Sequence, residues 1–235
     1  MRHLLPILFL FPAISSYAAP IEVRVVQSNG KPVKDAVVYV TASNLPVEET
    51  TTNETLVTEV SQNGRAFKPY ISVVRVNQPV LFTNKDDISH HIYSITGPLD
   101  FSFVIRASEQ GVEKSFPSEG VVAMGCNIHD WMSGYIKVVD TPYYTITGKS
   151  GVARITLPDG LENVTLTAWH PQMNETLQTE VAGGQEFELA LTKKMSPIPK
   201  QKNAQMIDFY GSYKWINLKV FRLKSCSLFS RCWSL

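Results

Sequence analysis

Short runs of β-forming residues, each closed by a turn signal, are the feature of this sequence that most restricts its fold. Apolar and polar residues alternate over such runs, for example in segment 21–26, and helical spacing of apolar residues is nearly absent. Turn pairs such as Asn29-Gly30 and Asn63-Gly64 separate the runs and favour the backbone conformations of tight turns. The pattern predicts an all-β chain.

Eleven segments carry this strand pattern, and their short length and regular turns indicate sheets packed face to face as a sandwich. A hydrophobic content of 44% is enough to fill such a core. The predicted strands are 21–26, 36–41, 70–76, 80–83, 90–95, 101–105, 120–125, 135–139, 152–157, 164–169 and 186–191.

The N-terminus has the composition of a secretory signal peptide. Arg2 supplies the charged start, an apolar run follows over 4–14, and small residues precede a cleavage point that we place after Ala18. Pro6 and Pro12 interrupt the apolar run, which is also shorter than the roughly 20 residues that span a bilayer. We therefore predict a signal peptide at 1–18 and a periplasmic or secreted protein without a stable membrane span.

Charge divides the rest of the chain into two parts. Segment 19–192 carries twelve basic and twenty acidic residues, whereas 193–235 carries nine basic residues and one acid. An acidic body argues against nucleic-acid binding. The basic tail, 194–235, has two readings: a poorly ordered extension, or a segment that touches an acidic partner or a membrane surface.

One loop gathers side chains that bind soft metals. Cys126 supplies a thiol, His129 an imidazole and Met132 a thioether, while His90 and His91 lie upstream. A set of two imidazoles, one thiolate and a weak Met ligand suits copper that cycles between Cu(I) and Cu(II). We predict one copper ion held by Cys126, His129, Met132 and one of the two upstream histidines.

Other cysteines and strand geometry bear on this set. Cys226 and Cys232 lie close together near the C-terminus and leave Cys126 as the odd thiol, which a bound metal would protect. Whether the other two form a disulfide stays open. His90 and His91 are neighbours on a predicted strand, so they point to opposite faces and only one can reach the ion.

The loop and its surroundings resemble the cupredoxins. The stretch from Phe82 to His90 is similar to the strand and loop that carry the first histidine ligand in plastocyanin and amicyanin, and the short Cys-x2-His-x2-Met spacing resembles amicyanin. The resemblance implies a Greek-key sandwich, His90 as the ligand and His91 behind it. In those proteins an asparagine commonly occupies the place of His91, so the brace that it makes to the cysteine loop is in question here.

The wider pattern, over about 21–192, resembles exported plastocyanin-like proteins labelled methylamine utilization proteins. That label refers to a gene neighbourhood. The flanks, 26–38 and 147–171, resemble the two halves of a carboxypeptidase-regulatory or transthyretin-like β-domain. We therefore expect a copper domain at 55–140 inserted in, or joined in series to, a second small β-sandwich formed by 19–54 and 141–193.

The resemblance implies a type 1 (blue) copper protein that exchanges single electrons with redox partner proteins and is not an enzyme. Two other functions fit the same sequence. A copper storage or delivery protein would use the same ligands, and a non-redox surface binding module would use exposed aromatics such as Tyr143, Tyr144 and Trp169. Trp131, between two of the predicted ligands, is either a shield and contact surface for the ion or a simple anchor of the loop.

Overall fold

A computed structural model describes residues 20–45, 57–181 and 186–201 of this chain. The predicted signal peptide, most of the basic tail and its two cysteines lie outside these residues. Sixteen strands are present in the described part, in the following order. They are β1 (Ile21–Val26), β2 (Val37–Thr41), β3 (Thr58–Gln62), β4 (Phe67–Lys68), β5 (Ile71–Arg75), β6 (Val80–Asn84), β7 (His90–Ser94), β8 (Phe101–Ile105), β9 (Val112–Lys114), β10 (Gly120–Cys126), β11 (Ser133–Val139), β12 (Tyr144–Ile146), β13 (Val152–Ile155), β14 (Thr165–Trp169), β15 (Leu177–Glu180) and β16 (Glu186–Ala190).

The prediction of an all-β sandwich fold is confirmed. Strands β5, β11, β10, β7 and β8 form a five-stranded sheet, and β4, β3, β6 and β9 form a four-stranded one. Between them lies a hydrophobic core that includes Phe82, Phe116 and Ile136, all fully buried. This first sandwich contains every predicted metal ligand.

A second sandwich is built from both ends of the described chain. One sheet has the order β13, β1, β16 and the other has the order β12, β2, β14, β15. Its core includes Val23, Val38 and Leu166. Strand β2 thus pairs with β12 and β14, which follow it by more than one hundred residues. All strands of the first sandwich lie between β2 and β12 in sequence.

All eleven predicted strands are present, two with unchanged ends and nine with ends that shift by one or two residues, and the described residues contain five more. Four of the added strands, β4, β9, β12 and β15, lie at the edges of their sheets, where few residues are buried and the sequence carries little apolar alternation. The fifth, β3, lies inside its sheet, but its buried positions include Ser61 and Gln62, whose polar side chains hide its position from a hydrophobicity pattern. Within the described residues, no helix is long and apolar enough to cross a membrane.

Polar and aromatic contacts join the two sandwiches. The side-chain amide of Gln172 donates to the Tyr70 hydroxyl at 3.0 Å, and the Tyr70 and Tyr135 rings meet edge to face. Tyr135 also packs against Trp169, at 6.5 Å between ring centroids. The outer surface of the five-stranded sheet is therefore covered in part by the second sandwich.

His170, at the end of β14, gives the second sandwich a pH-sensitive group. The residue is almost fully buried, and its Nδ1 accepts the backbone N–H of Gln172 at 3.2 Å. Burial lowers the pKa of His170 from 6.5 to about 4, although the Asp35 carboxylate acts in the opposite direction. The folded protein therefore keeps this imidazole neutral at neutral pH.

We expect His170 to destabilise the fold as the pH falls. Its contribution to the free energy of unfolding is fully present above pH 6.5 and is lost as the pH falls towards 4, by up to about 3 kcal/mol. Urea unfolding of the metal-free protein at pH 7 and pH 4 measures the loss. The variant His170→Asn, whose Oδ1 retains the acceptor, should lose that much less stability over the same interval. Equal pH dependence of the two proteins would contradict the assignment.

Candidate metal centre

Three potential metal ligands converge at one end of the first sandwich. His90 begins β7, Cys126 ends β10, and His129 lies in the loop between β10 and β11. Their ligand atoms all lie within 4.8 Å of one another, and all three residues are buried. Cys126 is the free cysteine of the described part of the chain.

The sheet places Cys126 beside the strand that carries His90. Strand β10 pairs antiparallel with β7, so that Cys126 lies opposite Ile92. Cys126 Sγ is 3.8 Å from His90 Nδ1 and 3.9 Å from His129 Nδ1. Both imidazoles thus turn the same ring nitrogen towards the sulfur, and the ring centroids of His90 and His129 are 5.1 Å apart.

Met132 lies in the same buried core as Cys126 and keeps only 2% of its surface exposed. Its backbone N–H donates to the carbonyl of His129 at 3.0 Å, which closes the loop into a tight turn. Met124, two residues before Cys126, is also part of the core. The structure therefore brings His90, Cys126 and His129 together. Met132, three residues after His129, is buried in the same core as Cys126.

His91 takes a separate place from His90. It is half-buried, and its Nε2 lies 2.7 Å from the Ser102 hydroxyl. The side-chain amide of Asn127 donates to His91 Nδ1 at 3.1 Å, and the backbone N–H of Asn127 donates to the His91 carbonyl. Hydrogen bonds between His91 and Asn127 therefore connect the strand that carries the two histidines to the loop that follows Cys126.

Asp86 is a site residue that the sequence analysis missed. One of its carboxylate oxygens lies 2.9 Å from His90 Nε2, the ring nitrogen that faces away from Cys126. A metal-binding histidine almost always donates its second N–H to such a group, so a carboxylate four residues before His90 was the available signal. The same carboxylate accepts the backbone N–H groups of Gly64 and Arg65 at 2.6 and 2.9 Å.

Trp131 contacts the other imidazole. Its ring centroid is 5.3 Å from that of His129, and its indole N–H donates to the carbonyl of Arg65 at 3.2 Å. The residue is half-buried and packs against the core. Trp131 is therefore both an anchor of the loop and a cover over one side of His129.

The last described residue also reaches this loop. The Gln201 side chain accepts the backbone N–H of Ser133 at 3.3 Å and donates to its hydroxyl at 3.0 Å. Because Ser133 directly follows Met132, Gln201 supports the end of the loop that carries His129 and Met132.

The surroundings of Cys126, His90 and Asp86 shift the pKa of each group towards its charged form. Burial raises the pKa of the Cys126 thiol, but hydrogen bonds from His90, His129 and the Ile128 backbone lower it more, to about 6 from 9.0. Burial lowers the pKa of His90, but Cys126 and Asp86 raise it more, so the net shift is upward. Burial raises the pKa of Asp86, and its three hydrogen-bond donors reverse this shift. The sulfur is therefore held as a thiolate at neutral pH, the form that binds metals.

We expect Cys126 of the metal-free protein to titrate near pH 6. Its thiolate absorbance in the ultraviolet, measured as the difference between the native protein and Cys126→Ser, should rise with a midpoint near that pH. The subtraction removes the signal of the two tail cysteines. Since metal binding needs the thiolate, affinity should weaken as the pH falls below about 6. A midpoint near 9 would contradict the electrostatics described above.

No protein-family model matches the chain, and no curated protein sequence matches it. Similar solved structures include a copper-containing nitrite reductase from Thermus scotoductus SA-01, with 21% identity over 49% of this chain, 28% of the reductase and a TM-score of 0.36. A purple cupredoxin from Nitrosopumilus maritimus has 22% identity over 35% of this chain and 99% of its own, with a TM-score of 0.31. A variant of amicyanin in its reduced Cu(I) form has 18% identity over 43% of this chain and 99% of its own, with a TM-score of 0.33. Similarities this low establish neither a family nor a function for this chain.

Proposed function

We propose that the protein is an exported type 1 (blue) copper protein that carries single electrons. The convergence of two imidazole Nδ1 atoms on the thiolate of Cys126 is the observation that supports this function most directly. Two imidazoles and one thiolate, with a weak Met ligand, are the ligand set of copper electron-transfer sites. Hard cations such as Mg²⁺ and Ca²⁺ prefer oxygen ligands and do not suit this set.

The distances between the ligand atoms fit one ion of this kind. In zinc sites, typical bond lengths are about 2.0 Å to an imidazole nitrogen and about 2.3 Å to a thiolate sulfur. Two such bonds that meet at about 120° separate nitrogen from sulfur by about 3.7 Å. The two sulfur–nitrogen separations in the cluster are 3.8 and 3.9 Å, so His90 and His129 both lie at distances from Cys126 that would let the three residues hold one ion.

A site of this kind uses copper for one-electron oxidation and reduction. His90 is fully buried, Cys126 and Met132 keep 4% and 2% of their surface exposed, and His129 keeps 8%. His129 is therefore the ligand nearest to solvent, and we infer that electrons enter and leave through its ring.

Ile128 lies beside this ligand on the surface, with 51% of its area exposed. An exposed apolar side chain next to the electron exit suits brief contact with a redox partner protein, which needs close approach without tight binding. The predicted signal peptide supports a periplasmic or secreted location for that contact. Participation in amine oxidation stays a prediction from sequence resemblance.

The sheet pairings support an inserted copper domain. Strands β3 to β11, within 55–140, share one core, whereas β1 and β2 share the other core with β12 to β16. We infer that 55–140 is inserted between strands of the second sandwich, in preference to two domains in series. Two of the aromatic residues that would serve a surface binding module instead contact the first sandwich. The Tyr144 hydroxyl donates to Gln78, and Trp169 packs on Tyr135.

Copper binding through the thiolate should be visible directly. We expect Cu(II) loading of the mature protein to produce an intense thiolate-to-copper charge-transfer band together with the EPR signal of a strongly covalent copper–thiolate bond. The variant Cys126→Ser should lose both. A native protein that binds Cu(II) without the band, or binds no copper, would overturn the proposed function.

The two upstream histidines should differ sharply in this assay. His90→Ala removes a ligand and should abolish the band or weaken copper binding by about 100-fold or more, since the buried donor set loses one member. His91→Ala is the matched control, since it removes a neighbouring imidazole that faces Ser102 and Asn127, and it should keep the band. The reverse result would assign the ligand to His91.

Electron transfer and copper delivery differ in how tightly the protein holds Cu(I). Reversible voltammetry at one potential, with Cu(I) retained against a competing chelator, is the expected result for a carrier. Rapid loss of Cu(I) to the chelator would instead support copper storage or delivery. The buried, braced ligands favour retention, since release requires the loop of His129 and Met132 to open.

A further inference from the structure

A β-turn that carries none of the potential ligands contacts the neighbours of both His90 and His129. The turn joins β3 to β4, and the backbone N–H of Asn63 donates to the Ala66 carbonyl at 3.0 Å. The two residues between them, Gly64 and Arg65, have φ angles of 68° and 55°. Two successive positive φ angles are what a type I′ hairpin turn requires.

One side of this turn holds the support of His90. The backbone N–H groups of Gly64 and Arg65 both donate to the carboxylate of Asp86, at 2.6 and 2.9 Å. That carboxylate contacts His90 Nε2 at 2.9 Å. With two donors from the turn, the carboxylate is fixed in position and in turn fixes the plane of the His90 ring.

The other side of the turn holds the neighbour of His129. The Arg65 carbonyl accepts the indole N–H of Trp131 at 3.2 Å, and the indole packs against the His129 ring. The backbone N–H of Arg65 therefore contacts His90 through Asp86, and its C=O contacts His129 through Trp131. His90 and His129 are 39 positions apart in sequence, yet both are supported by one peptide segment.

We propose that the turn of Asn63, Gly64, Arg65 and Ala66 is a shared positioning element that couples the two imidazoles of the metal centre. The role deepens the proposed copper function and rests on it for its redox consequence. The coupling itself is a property of the polypeptide: a change in Asp86 is transmitted to Trp131, and the reverse, through the backbone of Arg65. The two histidines then keep their spacing when the charge of the site changes.

A double-mutant cycle tests the coupling. Asp86→Asn keeps the shape of the side chain but replaces one acceptor oxygen by an amide that cannot accept both turn donors, whereas Trp131→Phe keeps the ring contact and removes the indole N–H. We expect Asp86→Asn to raise the Cu(II) dissociation constant by about 10- to 100-fold and Trp131→Phe by about 2- to 10-fold. In the double variant, the increase should differ from the product of the two single effects by more than twofold.

A matched cycle provides the control. Glu109 also loses a charge on substitution by Gln, and its carboxylate also accepts a backbone N–H, that of Arg106 at 2.8 Å, but in a different loop. Glu109→Gln combined with Trp131→Phe should give the product of the single effects within twofold. The Asp86 and Trp131 pair behaving in the same way would overturn the proposed coupling.

Measurements on the metal-free protein separate this inference from the proposed function. The shifts in the urea unfolding midpoint of the two single variants should fail to add in the Asp86 and Trp131 double variant, and should add in the Glu109 control. Failure of the native protein to show the copper charge-transfer band, with this non-additivity present, would reject the copper function and retain the coupling. A normal band with additive midpoint shifts would retain the function and reject the coupling.

Discussion

Burial of three potential metal ligands, His90, Cys126 and His129, determines which contacts must surround them. A thiol and two imidazoles have left water at one end of the first sandwich, and each polar atom needs a partner there. Two ring nitrogens turn towards Cys126 Sγ, which provides the shared centre. The second nitrogen of His90 has no access to solvent, because the residue is fully buried, and Asp86 meets its need for an acceptor.

The carboxylate that contacts His90 is itself a largely buried charge and needs hydrogen-bond donors of its own. Asp86 brings a carboxylate whose side chain keeps only 11% of its surface exposed, and a charge in such a position is costly unless hydrogen-bond donors surround it. The donors come from Gly64 and Arg65, whose positive φ angles direct both N–H groups to the same side. The turn between β3 and β4 is thus tied to the metal centre because of the need to stabilise a buried charge. The contacts thus form successive layers, in which buried His90 requires Asp86 and buried Asp86 requires the N–H groups of the turn.

These layers explain which parts of the site the sequence predicts. Cys126, His129 and Met132 lie on one loop, where ligand type and spacing are visible directly in the sequence. The choice of His90 over His91 needed a resemblance to other proteins, and the structure separates them by the alternation of side chains along β7. Asp86 has a local signal, since it lies four residues before a predicted ligand.

The turn has no such signal, because its contribution is made by backbone N–H and C=O groups that every residue type except proline carries. The pair Asn63-Gly64 predicts a turn, but nothing in it indicates that the N–H of Gly64 donates to a carboxylate 22 residues later. The same limit applies to strands. Apolar alternation locates the strands that fill a core, whereas polar edge strands such as β9 and β15 are fixed by pairing with neighbours.

The second sandwich has a physical role in this arrangement through strand β11. That strand begins at Ser133, directly after Met132, so its position sets where the loop of His129 and Met132 ends. One face of the sheet packs on the core of the first sandwich, while on the other face Tyr135 contacts Trp169 and Lys137 lies over the Tyr39 ring. A strand held on both faces has few alternative positions. The flanking segments of the chain thereby restrain the C-terminal end of the loop, much as the turn between β3 and β4 restrains its histidine.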